Sequence, residues 1–206
     1  MRNTFRIPLF VWCSLVAAIV GLAFIGSHSK GTENLFFNQY HSAAADTFFS
    51  LFTRLGEFPF IAVCLLVFWK LKGTKSAAEA IAAIVIASLS VQFFKRIVFG
   101  DYFRPHLFFE QTQPLRLIPN IEPLYHYSFP SGHTTAAFCL FATLSFHTHK
   151  TWLKLLFFLL ALLTAISRMY LLQHFLTDVV AGVFLGTAVA WLINLYFAKL
   201  NWQSKN

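Results

Sequence analysis

The chain has 206 residues, 57% of them hydrophobic and 12% charged, with 26 phenylalanines. A water-soluble domain of this size cannot cover so much apolar surface, and the same composition excludes a disordered, collagen-like or disulfide-framed chain. The formal net charge of +8 has to be read by where the charges fall, because only a localised basic face separates a nucleic-acid partner from a membrane surface.

Six apolar segments divide the chain. They predict an all-α bundle of six transmembrane helices in one domain over residues 1–206. The first covers residues 7–26, behind a basic start at 1–6. At 20 residues it is longer than a signal-peptide core of about 7–15 residues, and it reads as a retained span. The second covers 58–69, extended backward by an amphipathic stretch at 44–56 that suits the interface. The third covers 76–98, the fourth 131–149, the fifth 152–170 and the sixth 175–200. A helix of about 19 residues reaches about 28 Å, close to a hydrocarbon core of about 30 Å. Between the third and fourth segments, Pro105, Pro114, Pro119, Pro123 and Pro130 forbid a continuous helix. That stretch is expected to form an ordered cover, with Phe108 and Phe109 dipping toward lipid. Gly182 and Gly186 form a GxxxG pattern suited to close helix packing. Cys13, Cys64 and Cys139 lie inside apolar runs without metal spacing and read as small core residues.

With six spans and the N-terminus inside, the inner loops hold nine basic residues (Arg2, Arg6, Lys70, Lys72, Lys75, Lys150, Lys154, Lys199 and Lys205) and one acid, Glu79. The outer loops hold seven of each sign. The net charge therefore lies on one side. By the positive-inside rule both termini are cytoplasmic, and the basic residues face anionic headgroups rather than nucleic acid.

Ionisable residues in or beside spans cost about 2.5–3.5 kcal/mol each on insertion scales, so they need a reason. Three clusters stand out: Lys95-Arg96 followed by Arg104-Pro105; Pro130-Ser131-Gly132-His133; and Ser167-Arg168 followed by His174 and Asp178. Span parity puts all three at the outer ends of their helices. Taken singly, each has an ordinary explanation: Ser131 as an N-cap, Lys95 and Arg168 as snorkelling side chains, His174 and Asp178 as a polar contact. Taken together, several cations around one acid make a pocket for an anion of charge near minus two, and arginine forks fit phosphate. Ser131 and Gly132 would present backbone N–H groups at a helix N-terminus. His174 and Asp178 are four apart on one helical face. The carboxylate can hold one imidazole nitrogen and leave the other free to attack, with His133 as general acid.

The combination of Lys95 separated by eight residues from Arg104-Pro105, Pro130-Ser131-Gly132-His133, and Ser167-Arg168-x5-His174-x3-Asp178 resembles the type 2 phosphatidic acid phosphatase superfamily over residues 95–178. The second and third motifs match in order and spacing. The first departs, because the family usually has six residues between the lysine and the Arg-Pro pair. Lys95 is the expected ligand and Arg96 the rival. The resemblance implies a membrane lipid phosphatase in which His174 becomes a phosphohistidine, Asp178 orients it and His133 protonates the leaving oxygen. Lys95, Arg104, Ser131, Gly132 and Arg168 would bind the phosphate, with no metal and no cofactor.

The implied substrates are lipid phosphates at the periplasmic face of a bacterial inner membrane. Undecaprenyl pyrophosphate, phosphatidylglycerol phosphate, phosphatidic acid and lipid A phosphates all remain open. A phosphotransferase, or a lipid or anion transporter using the same pocket, is the alternative. Two histidines acting as nucleophile and acid lead to an expectation of bell-shaped pH dependence.

Overall fold

The computed structural model describes residues 7–110, 112–113, 115–116, 118 and 121–203. Arg2, Arg6 and Lys205 of the charge argument and Pro114 and Pro119 of the cover lie outside the described residues. Among those described, the regular structure is all helical. It comprises α1 (Leu9–Ser27), α2 (Thr32–Gln39), α3 (Ala43–Thr53), α4 (Phe58–Phe93), α5 (Pro105–Phe109), α6 (Gly132–Phe146), α7 (Thr151–Tyr170) and α8 (Leu176–Gln203). A 3-10 turn at Arg54–Gly56 precedes α4, and a π-helical turn at Phe94–Val98 follows it. Four segments, Leu9–Ser27, Phe58–Val98, Thr151–Tyr170 and Leu176–Leu200, are long and apolar enough to cross a membrane. Val16, Ile19, Val20, Val63, Leu66, Leu89 and Leu192 are all more than half exposed. Lipid, not water, suits such a surface, and the chain is a multi-pass membrane protein.

The second and third apolar segments of the sequence are the two legs of α4. Gly73, at φ 81° and ψ 175°, breaks the helix in a conformation that side chains with a Cβ rarely adopt. The legs then fold back on one another, so that Phe58, Ile61 and Leu65 share a cavity with Ile81, Ile84, Ala87 and Val91. The amphipathic stretch expected to lengthen the second segment is instead a helix of its own, α3. Its Ser42 cap accepts from the Ala45 amide. Glu57 leaves the helical region at φ −92° and ψ 152°, and Pro59 starts α4 afresh.

The fourth segment is shorter than its apolar run implies. α6 has 15 residues against the expected 131–149, a length of about 22 Å. It packs against both legs' helix α4, α7 and α8, and Ala137, Phe138, Cys139, Leu140 and Ala142 are fully buried. A helix enclosed by protein has no need to match the hydrocarbon thickness.

Glycines let α8 approach it. A Cβ on Gly186 would overlap the Thr135 carbonyl and stand 3.0 Å from the Cys139 amide. One on Gly182 would stand 2.9 Å from the Ser131 carbonyl. The GxxxG pair thus serves close packing, as its spacing implies. At the far end of the bundle from His174, Glu79 accepts from Asn194 Nδ2 at 2.8 Å and pairs with His147 Nε2 at 3.1 Å, which ties α4, α6 and α8 together.

The cover departs from expectation at one ring. Phe109 is buried rather than turned to lipid, and it lies where a side chain on Gly31 would stand. Phe108 sets its edge against Phe175, the residue after His174.

Gly186→Ala should cost about 1–3 kcal/mol, because the obstructing atoms are backbone. Gly26→Ala, whose Cβ meets nothing within 4 Å, should cost nothing measurable. Melting midpoints of the two variants in the same detergent check this contrast.

Candidate active site

The turn between α7 and α8 carries the third motif. Its shape is set by one carbonyl: the amides of Gln173 and His174 both donate to Arg168 O, at 2.9 and 3.1 Å. Leu172 adopts φ 56° to allow this. α2 clamps the turn from outside. Asn34 Nδ2 donates to the carbonyls of Met169 and His174, each at 3.1 Å, and Glu33 Oε1 accepts from the Leu176 amide at 2.7 Å. That last bond places a carboxylate at the N-terminus of α8, where the helix dipole favours it.

His174 and Asp178 are each 2% exposed. His174 Nδ1 lies 3.3 Å from Asp178 Oδ2, and His174 Nε2 lies 3.2 Å from Arg104 Nη1. A guanidinium can only donate, so Nε2 must accept. The neutral imidazole then carries its proton on Nδ1 and a lone pair on Nε2. Burial, followed by the positive charges of Arg104, Arg168 and Lys95, holds the proton affinity of His174 well below the ordinary histidine value of 6.5. The tautomer and the charge state are both those of a nucleophile.

Arg104 is 7% exposed. Besides His174, it donates from Nη1 to Gln173 O at 2.8 Å, from Nε to His126 O at 2.8 Å and from Nη2 to Tyr127 O at 3.3 Å. Its own amide donates to Tyr125 O. Burial lowers its proton affinity to about 10, with Asp178 opposing the shift, so it stays cationic. Lys95 Nζ donates to the same Tyr127 carbonyl at 2.8 Å, whereas Arg96 Nε turns away to Gln92 Oε1 at 3.2 Å. Of the two rivals, Lys95 is therefore the one beside Arg104. The π-helical turn at Phe94–Val98 and the left-handed Gly100, at φ 54°, accommodate the longer stretch before Arg104.

Arg168 is 6% exposed. Its Nη1 donates to Thr53 Oγ1 at 2.5 Å, while its Nε is buried with no hydrogen-bond partner among the described residues. An orphaned guanidinium N–H at full burial is costly unless an anion takes it. His133 stands in the first turn of α6 and lines the cavity between the legs of α4 together with Gly56, Val91 and Gly132. Gly56 lies against it, since a Cβ there would stand 2.8 Å from the His133 carbonyl.

Ser131 has internal partners. Its amide donates to Asp178 O at 3.0 Å, and its hydroxyl caps α6 with Thr134 Oγ1 at 2.9 Å. Gly132 differs: an added Cβ would meet only Val91, at 3.6 Å, so packing does not demand a glycine there. Close approach of a ligand would.

All the expected site residues thus lie at one end of the bundle, and Lys95, Arg104, His174 and Asp178 are joined by direct contacts or shared carbonyls. Several of the other histidines have local partners. His28 stacks on Phe24, His41 bonds to Asn38 O, and His126 pairs with Asp101 at 2.7 Å. Four contributors were not foreseen in the sequence: Thr53, Gly56, Asn34 and Ser128. Thr53, Gly56 and Asn34 come from parts of the chain without a motif. Ser128 stands two residues before the Pro130 tetrad and had only that proximity to recommend it.

The family model described as the PAP2 superfamily matches residues 76–202. Phosphatidylglycerophosphatase B of Bacillus subtilis is 33% identical over 97 residues, covering 41% of this chain and 48% of that protein, so the match spans about half of that relative's length. Undecaprenyl-diphosphatase BcrC of Bacillus subtilis is 28% identical over 155 residues, covering 74% of this chain and 75% of that one. Among solved structures, LpxE of Aquifex aeolicus superposes with a TM-score of 0.69 at 29% identity, over 79% of this chain and 93% of that one.

Two outcomes follow from the geometry. Lys95→Ala should lower kcat on the order of 10²- to 10³-fold, as loss of a preorganised donor does, while Arg96→Ala should stay within about twofold; steady-state kinetics of both variants on one substrate check this. The displaced proton affinity of His174 also amends the bell-shaped expectation. A group pulled below 6.5 stays neutral as pH falls through that value, so kcat/KM should show no acid limb there. A limb centred near 6.5 that is traced to His174 would contradict the burial argument.

Proposed function

The chain belongs to the PAP2 superfamily, and on that premise we propose that it is a lipid phosphatase working through a phosphohistidine on His174. The observation that carries this reading is the three-part contact Asp178–His174–Arg104. It puts a lone pair on Nε2 and sets there a guanidinium that must pass to a phosphate oxygen before Nε2 attacks. In the proposed first step, Nε2 forms a bond to phosphorus and the bond from phosphorus to the lipid oxygen breaks. His133 gives its proton to that oxygen. Lys95, Arg104 and Arg168, with the N-terminal end of α6 at Ser131 and Gly132, take up the charge on the equatorial oxygens. In the second step water attacks the phosphohistidine, His133 receives the proton, and free phosphate leaves. The charge is balanced by side chains, so the reaction is proposed to need no metal. A carrier would use the cations, but it would have no use for a carboxylate behind an attacking nitrogen.

A lipid substrate is supported by the cavity between the legs of α4. About 360 Å³ of mostly apolar space lies between the two legs of α4 and α6, and its wall includes both Gly132 and His133. A tail seated there would bring its phosphate to the head of α6. The named relatives differ in substrate, one a phosphatidylglycerophosphatase and one an undecaprenyl-diphosphatase, so monophosphate and diphosphate lipids both belong in the assay. The six-span topology, with α4 crossing twice and both termini cytoplasmic, is proposed from the charge asymmetry. It puts the site at the periplasmic face of a bacterial inner membrane.

Purified protein incubated with a ³²P-labelled lipid phosphate and quenched under alkaline conditions should retain label that is acid-labile. His174→Ala should retain none, and EDTA should leave turnover unchanged. Trapped label of equal amount in His174→Ala, or turnover that requires added magnesium, would refute the scheme.

A further inference from the structure

The mechanism above gives no task to the buried hydroxyl that stands beside His174 and Asp178. Ser128 is fully buried. Its Oγ donates to Asp178 Oδ2 at 2.5 Å and lies 3.4 Å from His174 Nδ1, so it reaches both members of the pair at once. Asp178 Oδ2 also accepts from the Phe175 amide at 3.0 Å. Counting His174 Nδ1–H, three donors converge on a single carboxylate oxygen. We infer that Ser128 is a positioning residue for the nucleophile: its hydroxyl fixes the rotation of the Asp178 carboxylate so that Oδ2 faces Nδ1 while His174 is phosphorylated.

Three observations carry this beyond a satisfied polar contact. The Ser128 hydroxyl and the Phe175 amide both lie nearer Oδ2 than His174 Nδ1 does, so the carboxylate has anchors besides the imidazole. The backbone of Ser128 is itself anchored, its amide donating to Tyr102 O at 2.9 Å. The two carbonyls just before it, at His126 and Tyr127, hold Arg104 and Lys95. Residues 126–128 thus set the distance between the phosphate cations and the support of the nucleophile.

The chemical consequence lies on the proton side. When Nε2 bonds to phosphorus the ring becomes cationic, and an unconstrained carboxylate would turn from it or take the Nδ1 proton. A donor held on Oδ2 lowers the basicity of that oxygen and keeps the ion pair intact.

This inference rests on the phosphohistidine reading, and its test separates the two. Rapid-quench single turnovers with the labelled lipid phosphate would be run on wild type, Ser128→Ala, Asp178→Asn and the double variant. Ser128→Ala should slow phosphoenzyme formation about 10- to 100-fold with KM little changed, and Ser128→Thr should restore most of the rate. In the Asp178→Asn background, Ser128→Ala should cost less than about threefold, because the group it acts through is gone. An undiminished cost in that background, or a loss confined to KM, overturns the positioning role. If Ser128→Ala does not fold, Ser128→Cys keeps the volume with a weak donor and carries the same cycle. A wild-type protein that traps no label on His174 instead refutes the reading beneath it.

Discussion

One guanidinium joins the two halves of the site. Arg104 donates to the carbonyls of His126 and Tyr127, before α6, and to the carbonyl of Gln173 and the ring of His174, before α8. It makes more of the polar links between the Pro-rich cover and the α7–α8 turn than Ser128, whose Oγ lies near His174 Nδ1, or Gln173, whose Nε2 donates to the Glu122 carbonyl. Its burial is tolerable because each of its three nitrogens has a partner and because Asp178 lies just behind His174. The same contact orients the imidazole, since a donor at Nε2 forces the proton onto Nδ1. The position of the ring and its tautomer are set by one interaction.

The rest of the bundle serves to bring four helix ends to that point. α8 reaches α6 closely enough for Ser131 N to bond to Asp178 O only because Gly182 and Gly186 lack side chains. The 3-10 turn before α4 reaches His133 only because Gly56 does. Small residues at helix contacts are the usual means of close approach where lipid gives no hydrophobic drive between helices. α2 adds polar bonds from outside, through Glu33 and Asn34. The Asp46 carboxylate binds Arg116 of the cover at 2.8 Å and Tyr170 of α7 at 2.6 Å, fastening the cover to α3 and α7.

Much of this was legible in the residue order. Apolar runs located the helices, and Gly73 fell between the second and third of them. The motif residues and their parity placed them at one end. Lys95, expected over Arg96, is the one that reaches the carbonyl shared with Arg104, but the π-helical turn at Phe94–Val98 that aims it there was not legible. The shortening of α6 was hidden because apolarity records burial without saying whether lipid or protein provides it. Phe109 misled for the same reason: its burial is inside the protein. Thr53, Gly56 and Asn34 act through single long-range contacts, which leave no periodic trace. Ser128 leaves none either, although its neighbours define the site.

The most direct test of the central claim is a structure of the protein with vanadate, whose five-coordinate form imitates phosphorus under attack. The account predicts vanadium bonded to His174 Nε2, with Lys95, Arg104 and Arg168 on its equatorial oxygens and His133 facing the apical oxygen opposite. Vanadate bonded through another side chain, or held away from His174 with Arg104 still on Nε2, would contradict it.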